Sequence, residues 1–242
     1  MHKIGKASED VSFSQMISSN AEPQGSYEAT KDVVSELSSS IGDYTGLKML
    51  LEFDPSVNYE RTAIEFIVET ARKAQAPVAI THLASTLYQE LKRETDLVVI
   101  SLSFGTSGTK DLTSNEISLP QNDVGRILET LERISRSHPE KRAAILLDNL
   151  TDLTLCLGFV KCYYFAVSML EILKDATILC LVNSEALTET ENSAYRALFS
   201  NILSMGRRGL EIRKWLRADP RQFMPLVDHS NIPVADRTQE SS

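Results

Sequence analysis

The chain has 242 residues, 42% of them hydrophobic, 24% charged and 8 proline. These are values of an ordinary globular protein and exclude collagen, coiled coil and wholesale disorder. A formal net charge of −8 argues against nucleic acid or an anionic membrane surface as the main partner.

The opening MHKIGKASEDVSF lacks the apolar stretch of a secretory leader, and no run approaches the roughly 18 uninterrupted apolar residues of a membrane span. Ten serines and almost no aliphatic clusters fill the first 40 residues, too little apolar surface to offset chain entropy. Residues 1–45 are therefore expected to form a disordered Ser-rich tail with one short helix around 28–38. Residues 46–228 are expected to form one α/β domain, and 229–242 a flexible C-terminal tail.

Within the domain, residues 47–53, 77–81, 96–104, 143–150 and 176–183 are short, nearly continuous apolar runs. That pattern predicts parallel strands covered on both faces. Amphipathic helical spacing links them over 62–74, 83–93 and 124–137. Residues 158–174 are apolar almost all round and are expected to be deeply buried or at an interface. Residues 111–120 are polar and predict a flexible connection, or a lid or partner-binding loop. Residues 209–216 and 222–228 are expected to pair as an antiparallel hairpin at the sheet edge, joined by a turn at 217–221. Strands alternating with helices specify a doubly wound, mostly parallel α/β sandwich. Cys156, Cys162 and Cys180 lie in apolar surroundings, which predicts buried thiols in a reducing cytoplasm rather than disulfides.

In open α/β sheets ligands bind beyond the carboxyl ends of the strands. The first strand-to-helix turn, with its following helix and second strand, resembles the opening of the RecA superfamily. It is most similar to the KaiC-like ATPases of archaeal and bacterial signalling, whose first strand runs into G-x-P-G-T-G-K-T. The resemblance lays that phosphate loop on Phe53, Asp54, Pro55, Ser56, Val57, Asn58, Tyr59 and Glu60, where only Pro55 is retained. A working loop needs glycines so that backbone N–H groups wrap the phosphates, a lysine for the β/γ oxygens and a hydroxyl for Mg²⁺. Here Phe53, Ser56 and Asn58 replace the glycines, Tyr59 the lysine and Glu60 the hydroxyl. Carboxylates at 54 and 60 would repel a triphosphate by about 4 kcal/mol each at 4–5 Å and an effective dielectric near 20.

The resemblance extends over about residues 47–228. It implies glutamates after the second strand, where this chain has Thr81-His82-Leu83-Ala84. It implies a Walker B aspartate, which falls on Asp148; that residue better suits a loop tied down by side-chain hydrogen bonds. The K-x-R motif that ends the last strand in that family is off by one residue, with Lys214 and Arg217 flanking Trp215 and Leu216. Ser103–Lys110, although glycine-rich, has G-x-x-G-x-K spacing and not that of a phosphate loop. No metal-ligand spacing and no nucleophile elbow occur in the sequence.

Two function classes follow. The first is a non-catalytic pseudo-ATPase acting as a regulatory or scaffold protein through protein–protein contacts. Its partner would be itself or an active KaiC-like paralogue, and it needs no cofactor. Its candidate surface is Arg207, Arg208, Arg213, Lys214, Trp215, Arg217, Arg221 and Phe223, which equally suits a solvated basic face with Trp215 as a core anchor. The alternative is a residual Mg-ATP binder or slow ATPase using Arg61, His82 and Asp148; Arg61 and Arg72 also suit an anion site on the first strand–turn–helix segment. A recombinase-type DNA binder conflicts with the acidity of the chain and with its lack of a basic, aromatic-interleaved loop.

Overall fold

The computed structural model describes residues 45–216, apart from 74, 95, 106, 139 and 208. Among the described residues the strands are β1 (Lys48–Phe53), β2 (Ala76–His82), β3 (Val98–Ser103), β4 (Lys110–Thr113), β5 (Glu116–Pro120), β6 (Ala143–Leu147), β7 (Thr177–Asn183), β8 (Asn201–Gly206) and β9 (Gly209–Lys214). The helices are α1 (Tyr59–Arg72), α2 (Thr86–Leu91), α3 (Val124–Ser137), α4 (Leu150–Leu157), α5 (Phe159–Ile172) and α6 (Glu189–Leu198). One sheet runs in the order β4-β5-β3-β2-β6-β7-β1-β8-β9. The seven inner strands are parallel. Each edge is closed by an antiparallel hairpin, β4–β5 on one side and β8–β9 on the other.

The continuous apolar runs have a direct cause. Successive side chains of a strand point to opposite faces, and here both faces are covered. Leu50, Val78, Ile80, Ile145 and Leu147 pack beneath α3, α4, α5 and α6. Their neighbours Met49, Leu51, Ala79, Ala144 and Leu146 pack beneath α1 and α2. Each buried Leu, Ile, Val or Met side chain among them contributes about 1.5–3 kcal/mol relative to exposure. No helix among the described residues is long and apolar enough to cross a membrane.

Three features differ from the sequence expectation. Residues 111–120 are not a flexible connection. Their second half is β5, every residue of it buried, pairing parallel with β3. The polar Glu116 is buried there because Tyr88 Oη donates to it and Lys92 pairs with it at 3.0 Å. The strand expected over 143–150 stops at Leu147, and the following residues form α4, capped by Asn149, whose side chain accepts from Asp152 N at 2.8 Å. Gly158, at φ +82, ends α4 and opens α5; a side chain at that φ would be strained. The C-terminal hairpin stands at the sheet edge, but its second strand at 209–214 pairs with Asn201–Gly206. The expected partner at 222–228 lies outside the described residues, as do the N-terminal tail with its helix at 28–38 and the tail at 229–242.

Candidate functional site

The site builds from sheet register. β2 and β6 are neighbours, with Ile80 beside Leu147, so the next residues, Thr81 and Asp148, emerge side by side at the carboxyl edge. Thr81 Oγ1 donates to Asp148 Oδ2 at 2.7 Å, and Ser85 Oγ donates to the same oxygen at 2.6 Å. Ser85 Oγ also accepts from Leu87 N at 3.2 Å, capping α2. Asp148 is 2% exposed, and burial raises its carboxyl above the ordinary range, opposed in part by the Ser85 and Thr81 hydrogen bonds. Its Oδ1 and the Nε2 of buried His82 have no hydrogen-bond partner among the described residues.

The turn after β1 lies one strand over, since β7 separates β1 from β6. Five of its backbone donors are taken within the chain. Asp54 N donates to Met205 O (2.9 Å), Val57 N to Asp54 O (3.1 Å) and Tyr59 N to Val57 O (2.9 Å). Ser56 N donates to Asp54 Oδ1 (2.8 Å) in an Asx-turn, and Arg61 N to Asn58 Oδ1 (3.2 Å) in an N-cap. Hydrogen bonds from Ser56 hold the Asp54 carboxyl below its ordinary range. Where the resemblance puts the first glycine and the lysine, the rings of Phe53 and Tyr59 stack with centroids 3.7 Å apart and planes at 21°. Burial raises the Tyr59 phenol well above its usual range, and the charges of Asp148, Glu60 and Asp152 add to the shift. The phenol therefore stays neutral at physiological pH, in acidic surroundings. Glu60 Oε1 accepts from Thr86 Oγ1 at 2.9 Å, tying the start of α1 to the start of α2.

The remaining candidates fall in three places. Arg61 pairs with Glu65 at 2.9 Å. Arg72 pairs with Glu69 at 3.4 Å at the far end of the 14-residue α1, about 20 Å along the helix from the turn, so the structure does not bring it to this site. Leu83 and Ala84, after His82, are exposed and carry no carboxylate. Of the basic surface, Arg207 lies beside the turn, its Nε 3.5 Å from Ser56 Oγ. At the other end of β9, Arg213 pairs with Glu211 at 3.3 Å and Lys214 Nζ donates to Phe199 O at 2.9 Å. Trp215 is half-buried against the α1 and α2 side of the core. Arg208, Arg217, Arg221 and Phe223 lie outside the described residues. Among the described residues no cluster of three or more His, Cys, Asp or Glu side chains could hold a metal ion.

Sequence reading missed the docking of β8 against the turn, which supplies the Met205 carbonyl. It also missed the Ser85 hydroxyl that meets Asp148 across 63 positions. Ser85 as an N-cap was the one local signal available.

Comparison with solved structures gives the same architecture. A KaiC-like protein from the hyperthermophilic archaeon Pyrococcus horikoshii superposes with a TM-score of 0.52 at 14% identity, over 72% of this chain and 82% of that one. A second Pyrococcus horikoshii protein superposes with a TM-score of 0.50 at 12% identity, over 76% and 93%. No protein-family model and no curated protein matches the sequence. The chain has a RecA-like α/β fold, with a KaiC-like protein among its structural neighbours.

Proposed function

We propose that this protein is a non-catalytic RecA-type domain, related to KaiC-like ATPases, that acts as a regulatory or scaffold component by binding other proteins. The observation that carries this reading is the turn after β1. Five of its amides, those of Asp54, Ser56, Val57, Tyr59 and Arg61, already have acceptors within the chain. Wrapping a phosphate with them would break the Asx-turn and the α1 cap. The stacked Phe53 and Tyr59 rings stand where a lysine would be needed. Glu60 and Asp54 add negative charge where a triphosphate needs positive charge. Asp148, at the Walker B position, has its Oδ2 occupied as an acceptor for Thr81 and Ser85.

A domain that retains the architecture without this chemistry is suited to association in a cytoplasmic signalling assembly, with itself or with an active KaiC-like paralogue. The basic residues around β9 are the surface to test first. The experiment combines ATP turnover by the purified full chain with sedimentation of the chain alone and mixed with a KaiC-like ATPase. The reading expects no turnover above buffer, and a concentration-dependent complex weakened by reversing charge at Arg207 and Arg213. Turnover that disappears in Asp148→Asn overturns it.

A further inference from the structure

We infer that the outer face of α5 is a self-association surface, on which a second copy of this chain packs its own α5 antiparallel about a two-fold axis. This surface is distinct from the basic residues around β9 and does not depend on whether the turn after β1 takes a phosphate.

One chain buries one side of α5, although the helix is apolar on both. Cys162, Phe165, Ala166 and Met169 fill the core. On the solvent side Val160 and Tyr164 are 66% and 67% exposed, and Ile172 is 43% exposed. Val160, Lys161, Tyr164, Ser168, Glu171 and Ile172 fall within about 120° of arc at 100° per residue, centred opposite Ala166. Single exposed apolar side chains are ordinary. Three along one stripe of a helix about 21 Å long make a patch of the kind that marks a contact site.

Charge complementarity names the occupant. Lys161 and Glu171 are both exposed and stand at equal distances before and after Ala166. Lys161 Nζ donates to Asn122 O at 2.9 Å, a surface contact that water can replace. A two-fold axis level with Ala166 brings each chain's Lys161 to the other's Glu171, so one opposite-charge contact is made twice. The same operation sets Tyr164 against Ser168, a large ring against a small side chain, and Val160 against Ile172, apolar against apolar. A parallel copy would instead set Lys161 against Lys161 and Glu171 against Glu171, which is repulsive. The contact closes at two chains. One helix of this length covers less than the roughly 1,200 Å² of a stable interface, so the dimer is transient.

The test is sedimentation equilibrium of the full chain, from about 1 to 500 μM, where a transient dimer is populated. Wild type should dimerise, and the dissociation constant should rise about tenfold or more in Lys161→Glu and in Glu171→Lys, because each reversal sets like charges together twice. Mixing the two variants should bring the constant back to within about threefold of wild type, since both opposite-charge contacts return in the heterodimer. A variant that had merely lost its fold would not be rescued in this way. The dimer should persist in Arg207→Glu with Arg213→Glu. Wild type that stays monomeric throughout overturns the inference, as does a failure to recover on mixing. A dimer kept by both α5 variants but lost on reversing Arg207 and Arg213 also overturns it, while leaving the proposed function standing.

Discussion

Replacing Asp148 by alanine removes the acceptor of two hydroxyls at once. Thr81 Oγ1 is fully buried, and its one other acceptor among the described residues, the His82 carbonyl, is at 3.5 Å, too long for a good bond. Leaving it unsatisfied costs about 1–3 kcal/mol. Ser85 is half-buried and turns to water, at about 0.5–1 kcal/mol. Relief of the buried carboxylate offsets part of this. The expected net loss is about 2–3 kcal/mol at pH 7, a fall in Tm of roughly 5–10 °C for a protein of this size.

Asp148→Asn retains an acceptor oxygen and should lose less. It also isolates the charge. Burial raises the folded carboxyl above its unfolded value of about 3.9, so the folded state binds that proton more tightly than the unfolded chain. The associated stability is fully present below the unfolded pKa and is lost as pH rises through the raised folded value. Urea unfolding of both proteins from pH 4 to pH 8 should therefore show wild type losing ground to Asp148→Asn as pH increases. Parallel profiles, or Asp148→Ala as stable as wild type, would refute the buried-acceptor geometry.

Two further outcomes follow from a buried charge pair and from thiol exposure. Arg196 pairs through Nε with Glu52 at 2.5 Å and through Nη1 with Glu189 at 2.9 Å, and Glu52 is buried. Arg196→Ala should therefore cost about 1–3 kcal/mol in urea unfolding by stranding the Glu52 charge, whereas Arg196→Ala with Glu52→Gln should recover part of the loss. Cys156 is exposed while Cys162 and Cys180 are buried, with burial raising both buried thiols. Intact mass after maleimide treatment should show one adduct on the native protein and three in denaturant.

The strands β1, β2, β6 and β7 were legible because a strand covered on both faces must be apolar at every position, as Ala143–Leu147 and Thr177–Val182 very nearly are. β5 was not legible. Glu116 and Ser118 look like loop residues until the Tyr88 hydroxyl and the Lys92 ammonium are brought across 28 and 24 positions to satisfy the carboxylate. α6 carried a capping box, with Thr188 Oγ1 accepting from Glu191 N and Glu191 accepting from Thr188 N, a signal present in the sequence but not used. At the candidate site, the missing glycines and lysine were plain from residues 53–60. That Phe53 and Tyr59 stack, that Asp54 folds the turn onto itself and that Met205 closes it depend on ring packing and on β8 docking, neither of which has a local signature.

The proposed function rests on the turn after β1 being closed by the hydrogen bonds it already makes, so that it does not take a nucleotide's phosphates. Thermal unfolding of the full chain with and without millimolar Mg-ATP tests it most directly. A ligand at one hundred times its dissociation constant adds about 2.7 kcal/mol, roughly 5–10 °C here. The proposed function predicts no shift beyond about 1 °C, well below that ligand effect. A saturable, dose-dependent rise of several degrees that is lost in Asp148→Asn would contradict it.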